Sequence, residues 1–158
     1  SRGLGDVYKR QGSSYLPSEM NAAYLYAQLE ECDKINRKRH QVYDGYHERL
    51  EDLEKQGKIQ RPVVPEGCVH NAHMYYIKVK DIAVRTRLIA YLRENGIAPA
   101  FHYVPLHSSP AGEKFGRFHG KDVYTTKESE RLLRLPMFYD LSMDDVDYIA
   151  EKIREFEF

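Results

Sequence analysis

A long apolar stripe with helical spacing runs through the first third of the chain. Its members recur every three, four or occasionally seven residues: Leu25, Leu29, Cys32, Ile35, Val42, Tyr46, Leu50 and Leu53. This spacing puts apolar side chains on one face of an α-helix and charged residues on the other. Ser18 is a good N-cap, and Gly57 is a typical stop. Because the pattern exceeds an average helix, we expect a bend or break near Glu30 to Asp33.

Shorter elements follow the stripe. Residues 74–80, MYYIKVK, alternate in character and predict a half-buried strand. Asp81 is expected to cap a helix through Asn95, with Gly96 as its stop. A second strand, residues 98–104, is expected to place Phe101 and Tyr103 on one face and His102 on the other.

The last third contains glycines, a capping pattern and a final helix. Residues 108–123 are expected to form a long loop, which in a compact domain is usually functional or mobile. Thr125 and Glu128 have capping-box spacing before a short helix, and residues 132–136 are expected to form a third strand. Ser142 should cap the last helix, whose inner face is Val146, Ile149, Ala150, Ile153 and Phe156. Short strands separated by helices indicate a small sheet covered by helices.

Composition excludes several classes of protein. The 158 residues suffice for one domain with a real core. The 24 lysines and arginines equal the 24 aspartates and glutamates, so no net field attracts nucleic acid or an anionic membrane. No apolar run approaches the ~20 residues of a bilayer span. Cys32 and Cys68 fit a reduced cytoplasmic protein better than a disulfide scaffold.

The first eleven residues, SRGLGDVYKRQ, match the translation of a sequencing adapter letter for letter. We therefore expect residues 1–11 to be an assembly artefact without a structural role. On this interpretation, the native sequence starts near Gly12, inside a gene, and the chain is a fragment.

Residues 100–110, AFHYVPLHSSP, are the main candidate for a binding site. They begin as a strand and turn at Pro105, with His102 and His107 on either side. Strands that end in a proline-broken loop with imidazoles and hydroxyls often present polar groups to a small ligand. The alternative is an ordinary strand and loop with surface histidines.

Two weaker signals concern metals and anions. His70 and His73, with His102 or His107, could hold a metal, but no carboxylate is spaced with them, so we predict no metal site. His40 and His47, on a charged helix, are expected to be solvated. Ser13, Ser14 and Tyr15 precede a helix start, where backbone N–H groups favour an anion such as phosphate, although most helix starts bind water.

Four blocks of sequence carry a more specific signal. They read GSSYLPSEMNAAYLYAQLE, GCVHNAHMYYIKV, FHYVPLHSSPAGEKFG and YTTKESERLLRLPMFYDLS, and they occur in this order from Gly12 to the last helix. In these blocks the chain resembles the C-terminal part of the DegT/DnrJ/EryC1/StrS family of sugar-nucleotide aminotransferases, which depend on pyridoxal 5′-phosphate (PLP).

This resemblance implies an α+β fold in which helices pack on a small, mostly antiparallel sheet, as in the C-terminal small domain of a fold type I PLP-dependent transferase. Residues 12–57 would be the long helical end of the large domain, and residues 58–158 the small domain. The implied enzyme is a homodimer that transfers an amino group from L-glutamate to the C4 ketone of dTDP-4-dehydro-6-deoxy-D-glucose, as in pathways of the enterobacterial-common-antigen type.

The resemblance also implies roles for particular residues. The loop with Ser13, Ser14 and Tyr15 would reach the cofactor phosphate of the neighbouring subunit, with Ser14 where the family often has asparagine; a hydroxyl can still donate to phosphate. His102, Tyr103 and His107 would lie near the sugar nucleotide, although plain packing against Phe101 also explains Tyr103. The family's Schiff-base lysine lies upstream of this chain, so no catalytic residue is assigned here.

Two other functions remain open. Dehydratases related to this family share the fold but have histidine in place of the Schiff-base lysine. A non-catalytic dimerisation module is the third hypothesis. Whichever holds for the parent protein, we expect the 158-residue chain alone to be inactive, because the nucleophile and most of the cofactor pocket are missing.

Overall fold

The computed structural model describes residues 16–158. Its helices and strands are, in chain order, α1 (Glu19–Glu30), α2 (Cys32–Arg49), α3 (Glu51–Lys55), β1 (Tyr75–Lys78), α4 (Ile82–Glu94), β2 (Ala100–Phe101), a 3-10 turn (Leu106–Ser108), α5 (Pro110–Phe115), α6 (Thr125–Arg131), β3 (Leu132–Leu135) and α7 (Met143–Glu155). The predicted alternation of helices and short strands is confirmed.

The apolar stripe is helical and broken where the sequence predicts. Ser18 caps α1 by accepting a hydrogen bond from the Asn21 backbone N–H, and α1 ends one residue before Glu31. A further interruption at Leu50, which the sequence did not indicate, separates α2 from α3. Gly57 follows with a φ of 72°, a left-handed conformation that glycine adopts without strain.

The sheet of the described region has three strands, with β3 in the centre and antiparallel to both neighbours. Tyr76 of β1 and Ala100 of β2 both oppose Arg134 of β3. Alternation sends Leu133 and Leu135 into the core and Arg134 to the opposite face. The predicted α+β fold with a small antiparallel sheet is confirmed.

The core lies between the inner face of the sheet and α2, α4 and α7. Its fully buried members include Val42, Tyr46, Leu50, Ile77, Leu88, Leu92, Leu133, Val146 and Ile153. The Tyr46 hydroxyl donates to the Pro136 carbonyl over 2.9 Å, so this buried phenol is satisfied. Burial of such side chains supplies the main driving force for folding.

Side-chain caps define the two long helices of the C-terminal half. Asp81 accepts from the Val84 backbone N–H at the start of α4, as predicted. Ser142 and Asp145 form a reciprocal capping box at the start of α7. The inner face predicted for α7, from Val146 to Phe156, is buried throughout.

Three local predictions are wrong. The second strand is only Ala100–Phe101, because Tyr103 has a φ of 51° and leaves the extended conformation. Residues 108–123 are not all loop, since Pro110 at the first turn starts α5 with Ser109 as its N-cap. Thr125 and Glu128 form no capping box, because Tyr124 occupies the cap position without a side-chain bond.

The histidines predicted to be solvated are half-buried against aromatic rings. His40 contacts His70 at 4.7 Å between ring centroids, and His47 stacks on Tyr43. The Arg61 guanidinium donates to the His47 carbonyl and pairs with Glu54. Burial, with a contribution from Arg61, lowers the pKa of His47. The number of charged residues on the helix does not predict these contacts, because the contacting residues are distant in the sequence.

The chain divides into two compact units, one ending at Lys34 and one comprising Ile35–Phe158. Helix α1 of the first unit has no buried residue, and Met20 is 84% exposed. In the second unit, residues 35–57 share the core with the sheet. The assignment of residues 12–57 to a large domain and 58–158 to a small one stays a prediction. Over residues 16–158, no helix has the length and apolarity to cross a membrane.

Candidate functional site

The predicted substrate residues lie where β2 ends and the chain turns. After Phe101, the rings of His102 and Tyr103 contact each other edge to face, with 4.7 Å between centroids. Tyr103 is 69% exposed and adopts the left-handed backbone conformation, which is uncommon for a bulky residue. Such strain costs on the order of 1–3 kcal/mol and is concentrated at functional sites.

His107 points to a different set of partners. Its Nε2 lies 2.9 Å from a carboxylate oxygen of Asp122, and its ring centroid lies 4.5 Å from that of Phe118. The Thr126 hydroxyl is 3.5 Å from the same nitrogen. The structure therefore brings His102 and Tyr103 into contact, whereas His107 is fixed to residues 118–126.

Asp122, which the sequence did not single out, has two roles. Its carboxylate accepts hydrogen bonds from the Thr125 and Thr126 backbone N–H groups and so caps α6. It also orients the His107 imidazole. The hydrogen bond from the Thr126 hydroxyl, with the backbone donors and His107, holds the pKa of Asp122 below its usual range. Glu128 pairs with Lys78 and Arg131.

The turn between the histidines depends on a close backbone approach. The Ser109 hydroxyl donates to the Leu106 carbonyl and accepts from the Gly112 backbone N–H. A Cβ atom on Gly112 would lie 1.6 Å from the Leu106 carbonyl oxygen. Only glycine fits this contact, so Gly112 holds the turn in place.

A small pocket adjoins the candidate site. Its volume is about 160 Å³, and its lining includes Tyr103, Pro105, Ser108 and Arg85. His102 and His107 do not line it. Pockets for small ligands usually measure ~300–1,000 Å³, so this cleft alone is too small to enclose a nucleotide-sized ligand.

Two arginines flank the aromatic residues and were missed by the sequence reasoning. Arg85 lies over the Phe101 ring at 5.5 Å, and Arg134 over the Tyr103 ring at 5.7 Å. The alternation of residues 132–135 could have identified Arg134 as facing away from the core. No sequence signal indicates that it meets Tyr103, because that contact depends on the turn after β2.

The residues considered for the cofactor phosphate and for a metal lie in different parts of the chain. Ser13, Ser14 and Tyr15, assigned to cofactor phosphate, lie outside the described residues. His73 contacts Asn71 through its Nδ1, and His70 packs against His40 and Tyr43. Across residues 16–158, no three histidine, cysteine or acidic side chains are grouped as metal ligands.

Comparison with known proteins gives one consistent family. The model of the DegT/DnrJ/EryC1/StrS aminotransferase family matches residues 4–154. A pleiotropic regulatory protein of Geobacillus stearothermophilus is 32% identical over 139 residues, covering 87% of this chain and 36% of the relative. The chain therefore spans about a third of the length of this relative.

Solved structures agree with this match. A DegT/DnrJ/EryC1/StrS aminotransferase from Brucella abortus superposes with a TM-score of 0.71 at 26% identity, over 90% of this chain and 39% of that one. The Streptococcus pneumoniae protein Spr1654, described as a sugar aminotransferase and solved in its PLP form, gives a TM-score of 0.64 at 25% identity. That match covers 80% of this chain and 32% of Spr1654. The fold is that of part of these aminotransferases.

Proposed function

The chain belongs to the DegT/DnrJ/EryC1/StrS aminotransferase family, and from this membership we propose that it is the C-terminal part of dTDP-4-amino-4,6-dideoxygalactose transaminase. The amino group of L-glutamate would replace the C4 ketone oxygen of dTDP-4-dehydro-6-deoxy-D-glucose, and glutamate would leave as 2-oxoglutarate. The observation that supports this most is the family match across residues 4–154, together with the FHYVPLH block at an exposed turn.

Enzymes of this family depend on PLP, and relatives have been solved in PLP and PMP forms. When bound, PLP supplies an electron sink for breaking and forming bonds at the amino-bearing carbon. The pocket beside Tyr103, at about 160 Å³, is by itself smaller than the ~300–1,000 Å³ usual for small-ligand sites. We therefore assign no catalytic step to the described residues, and cofactor contacts by Ser13, Ser14 and Tyr15 remain part of the proposal.

The described residues would act on the sugar nucleotide. Tyr103 presents an exposed ring that can pack on a sugar. The His107 Nε2 atom faces the Asp122 carboxylate, and a neutral imidazole that donates to this carboxylate would have Nδ1 as a hydrogen-bond acceptor for a sugar hydroxyl. His102 would contribute a second imidazole beside Tyr103. Together they would bind and orient substrate while the cofactor and upstream residues perform the chemistry.

The proposed partners are dTDP-sugar, L-glutamate and a second subunit of the full-length protein, as a cytoplasmic homodimer. Balanced charge gives no reason to expect nucleic acid or membrane binding. Sedimentation of the full-length protein tests the dimer, and a monomer at working concentration would contradict it.

Incubation of the full-length enzyme with PLP, L-glutamate and the 4-keto sugar nucleotide tests the reaction. We expect a 4-amino sugar nucleotide and an equal amount of 2-oxoglutarate by mass spectrometry. Omission of glutamate is the control and should abolish both products. A deoxygenated sugar without nitrogen would identify the dehydratase instead, and no product from this or related keto sugars would favour the non-catalytic module.

The 158-residue chain alone should not turn over substrate. The same assay applied to the purified chain should give no amino sugar above the level of PLP without protein. Measurable enzymatic product would contradict the assignment of the nucleophile to an upstream segment.

A further inference from the structure

Lysine and arginine side chains are concentrated in one cleft beside β1. This basic cleft has a volume of about 460 Å³, and its lining comes from residues 57–60, residues 78–80 and α6. Of the described residues that line it, none is acidic and five are cationic: Lys58, Lys78, Lys80, Lys127 and Arg131. The whole chain has equal numbers of basic and acidic residues, so the cleft is a local concentration of positive charge.

Hydrogen bonds fix the walls of the basic cleft relative to one another. Gln60 and Lys78 exchange two backbone hydrogen bonds, of 2.8 and 2.9 Å. The Val79 N–H donates to the Arg131 carbonyl over 3.0 Å, and the Arg131 Nε donates to the Val79 carbonyl over 2.8 Å. Arg131 also donates from Nη2 to the Gln60 side-chain oxygen. The shape of the cleft is therefore set by the fold, as is usual for sites that bind small ligands.

Only part of the positive charge in the basic cleft is compensated. Glu128 lies 2.7 Å from Lys78 and 3.1 Å from Arg131, so one carboxylate serves two cations. Lys80 and Lys127 are exposed, and neither makes an ion pair or a side-chain hydrogen bond in the part of the chain that the structure describes. Charges of one sign that line a cleft reinforce one another and raise the local concentration of anions.

The basic cleft and the cleft beside Tyr103 lie on different sides of α6. Lys127 and Arg131, four residues apart, share one face of the helix and line the basic cleft. Ser129, on the opposite face of the helix, lines the cleft beside Tyr103. The two clefts have no lining residue in common. A ligand in the basic cleft therefore needs no contact with the residues assigned to the sugar nucleotide.

The volume and the charge of the basic cleft together favour a small ligand with several negative charges. About 460 Å³ falls within the ~300–1,000 Å³ usual for small-ligand sites. A single phosphate group would engage only some of the five cations, whereas a short chain of phosphates extends to several of them. Lysine ammonium groups bind phosphate as point charges, so they tolerate different orientations of the phosphate groups.

We infer that the basic cleft binds a small polyphosphate anion. Lys58, Lys80 and Lys127 contact its phosphate oxygens, while Lys78 and Arg131, held by Glu128, add to the positive field. Inorganic polyphosphate and nucleoside triphosphates are the two sources of this phosphate chain. The binding requires no transamination and is independent of the proposed function.

NMR titration of the 158-residue chain tests the site. The amide signals of Lys80 and Lys127 are followed during addition of tripolyphosphate, a nucleoside triphosphate or inorganic phosphate, without divalent cations and at constant ionic strength maintained with chloride. We expect saturable shifts with both polyphosphates, and binding of inorganic phosphate that is at least about tenfold weaker, because it forms fewer ion pairs.

The relative affinities identify the source of the phosphate chain. Equal affinity for the two polyphosphates would show that the phosphates alone are recognised, and tighter binding of the nucleoside triphosphate would show that the nucleoside adds contacts. The inference would be overturned if neither polyphosphate gave a saturable shift. It would also be overturned if only a single-stranded oligonucleotide bound, since the cleft would then belong to a nucleic-acid surface.

Matched variants separate the basic cleft from general surface charge. Lys80→Gln and Lys127→Gln should each weaken tripolyphosphate binding by about two- to fivefold, and the double variant by about tenfold, because exposed ion pairs are lost. Lys80→Arg combined with Lys127→Arg keeps both charges and should bind within about twofold of the parent chain. Lys114→Gln removes an exposed lysine outside the cleft and should also stay within about twofold.

Unchanged binding by the double glutamine variant would contradict the site. The substituted side chains are exposed, so the amide signals of the buried residues Ile77 and Leu133 should be retained in every variant. Calorimetric titration of the full-length protein with tripolyphosphate, with and without the double glutamine substitution, provides a second measurement. We expect the same loss of about tenfold there, and equal binding by the two full-length proteins would overturn the inference for the complete protein.

Discussion

Within residues 35–158, the buried core and the segment Ala100–Tyr124 are stabilised by different kinds of interaction. In the core, side chains from α2, α4, α7 and the sheet are buried, and the Tyr46 hydroxyl is paired. From Ala100 to Tyr124 no residue is buried. This segment is held by local hydrogen bonds, such as those of Ser109 and Asp122, and by ring contacts.

This difference indicates that the core determines the stability of the fold, whereas the segment is suited to binding a ligand. Burial of apolar surface fixes the core irrespective of ligand. The segment instead leaves Tyr103 exposed and holds it in a strained conformation, which contributes nothing to the core and is typical of binding loops. Substitutions should therefore affect stability in the core and local structure or binding in the segment.

The largest contrast should come from the same substitution in the two regions. Leu88→Ala removes a fully buried side chain from α4 and should lower the free energy of unfolding by about 2–5 kcal/mol. Leu106→Ala, at a side chain that is 85% exposed, should change it by less than about 0.5 kcal/mol. Urea denaturation of both variants measures this, and equal losses would contradict the division.

Gly112→Ala should be the most damaging small change within the segment. The added Cβ would overlap the Leu106 carbonyl, and relief of the overlap should cost about 1–3 kcal/mol and shift the amide signals of residues 105–112. Ala111→Ser, at an exposed neighbouring position, serves as the control. If both variants give the parent spectrum, the close approach is not present in solution.

Asp122→Ala should loosen the start of α6 and release His107. The Thr125 and Thr126 amides lose their acceptor, so their hydrogen exchange should accelerate several-fold. Asp122→Asn retains a capping oxygen and should preserve most of the protection. Unchanged exchange in the alanine variant would show that the carboxylate does not cap this helix.

The smallest expected effect is on the pH dependence of stability, and it concerns His47, which lies in the core region rather than in the segment Ala100–Tyr124. Because burial lowers the pKa of His47 in the folded protein, the unfolded state binds more protons. The free energy of unfolding should therefore be highest above the ordinary histidine pKa of about 6.5, and it should decline as the pH falls from there toward the pKa of His47 in the folded protein. In the His47→Gln variant, the free energy of unfolding should decline less between about pH 7.5 and pH 5.5. If the free energies of unfolding of the parent chain and of His47→Gln changed with pH in parallel, His47 would not be a cause of the pH dependence.

Sequence periodicity was sufficient to predict the helices and strands that form the core. Buried side chains recur with the period of the helix or strand that carries them, and this holds for the apolar stripe, residues 74–80 and the inner face of α7. The segment was predicted less well because Tyr103 leaves the strand and Pro110 starts a helix, both through local geometry.

Within the candidate site, the sequence indicated residue types but not their partners. His107 was identified, whereas Asp122, fifteen positions later, could not be paired with it before the turn was known. Arg134 could not be identified because its contact with Tyr103 joins β3 to the turn after β2. Such contacts depend on tertiary structure, which a periodic pattern does not encode.

The most direct test of the proposed aminotransferase function is the residue at the family's Schiff-base position, read from an uninterrupted copy of the gene. The family resemblance predicts a lysine there, able to bind PLP covalently and to take part in transamination. A histidine would contradict the aminotransferase assignment and identify the parent protein as a dehydratase.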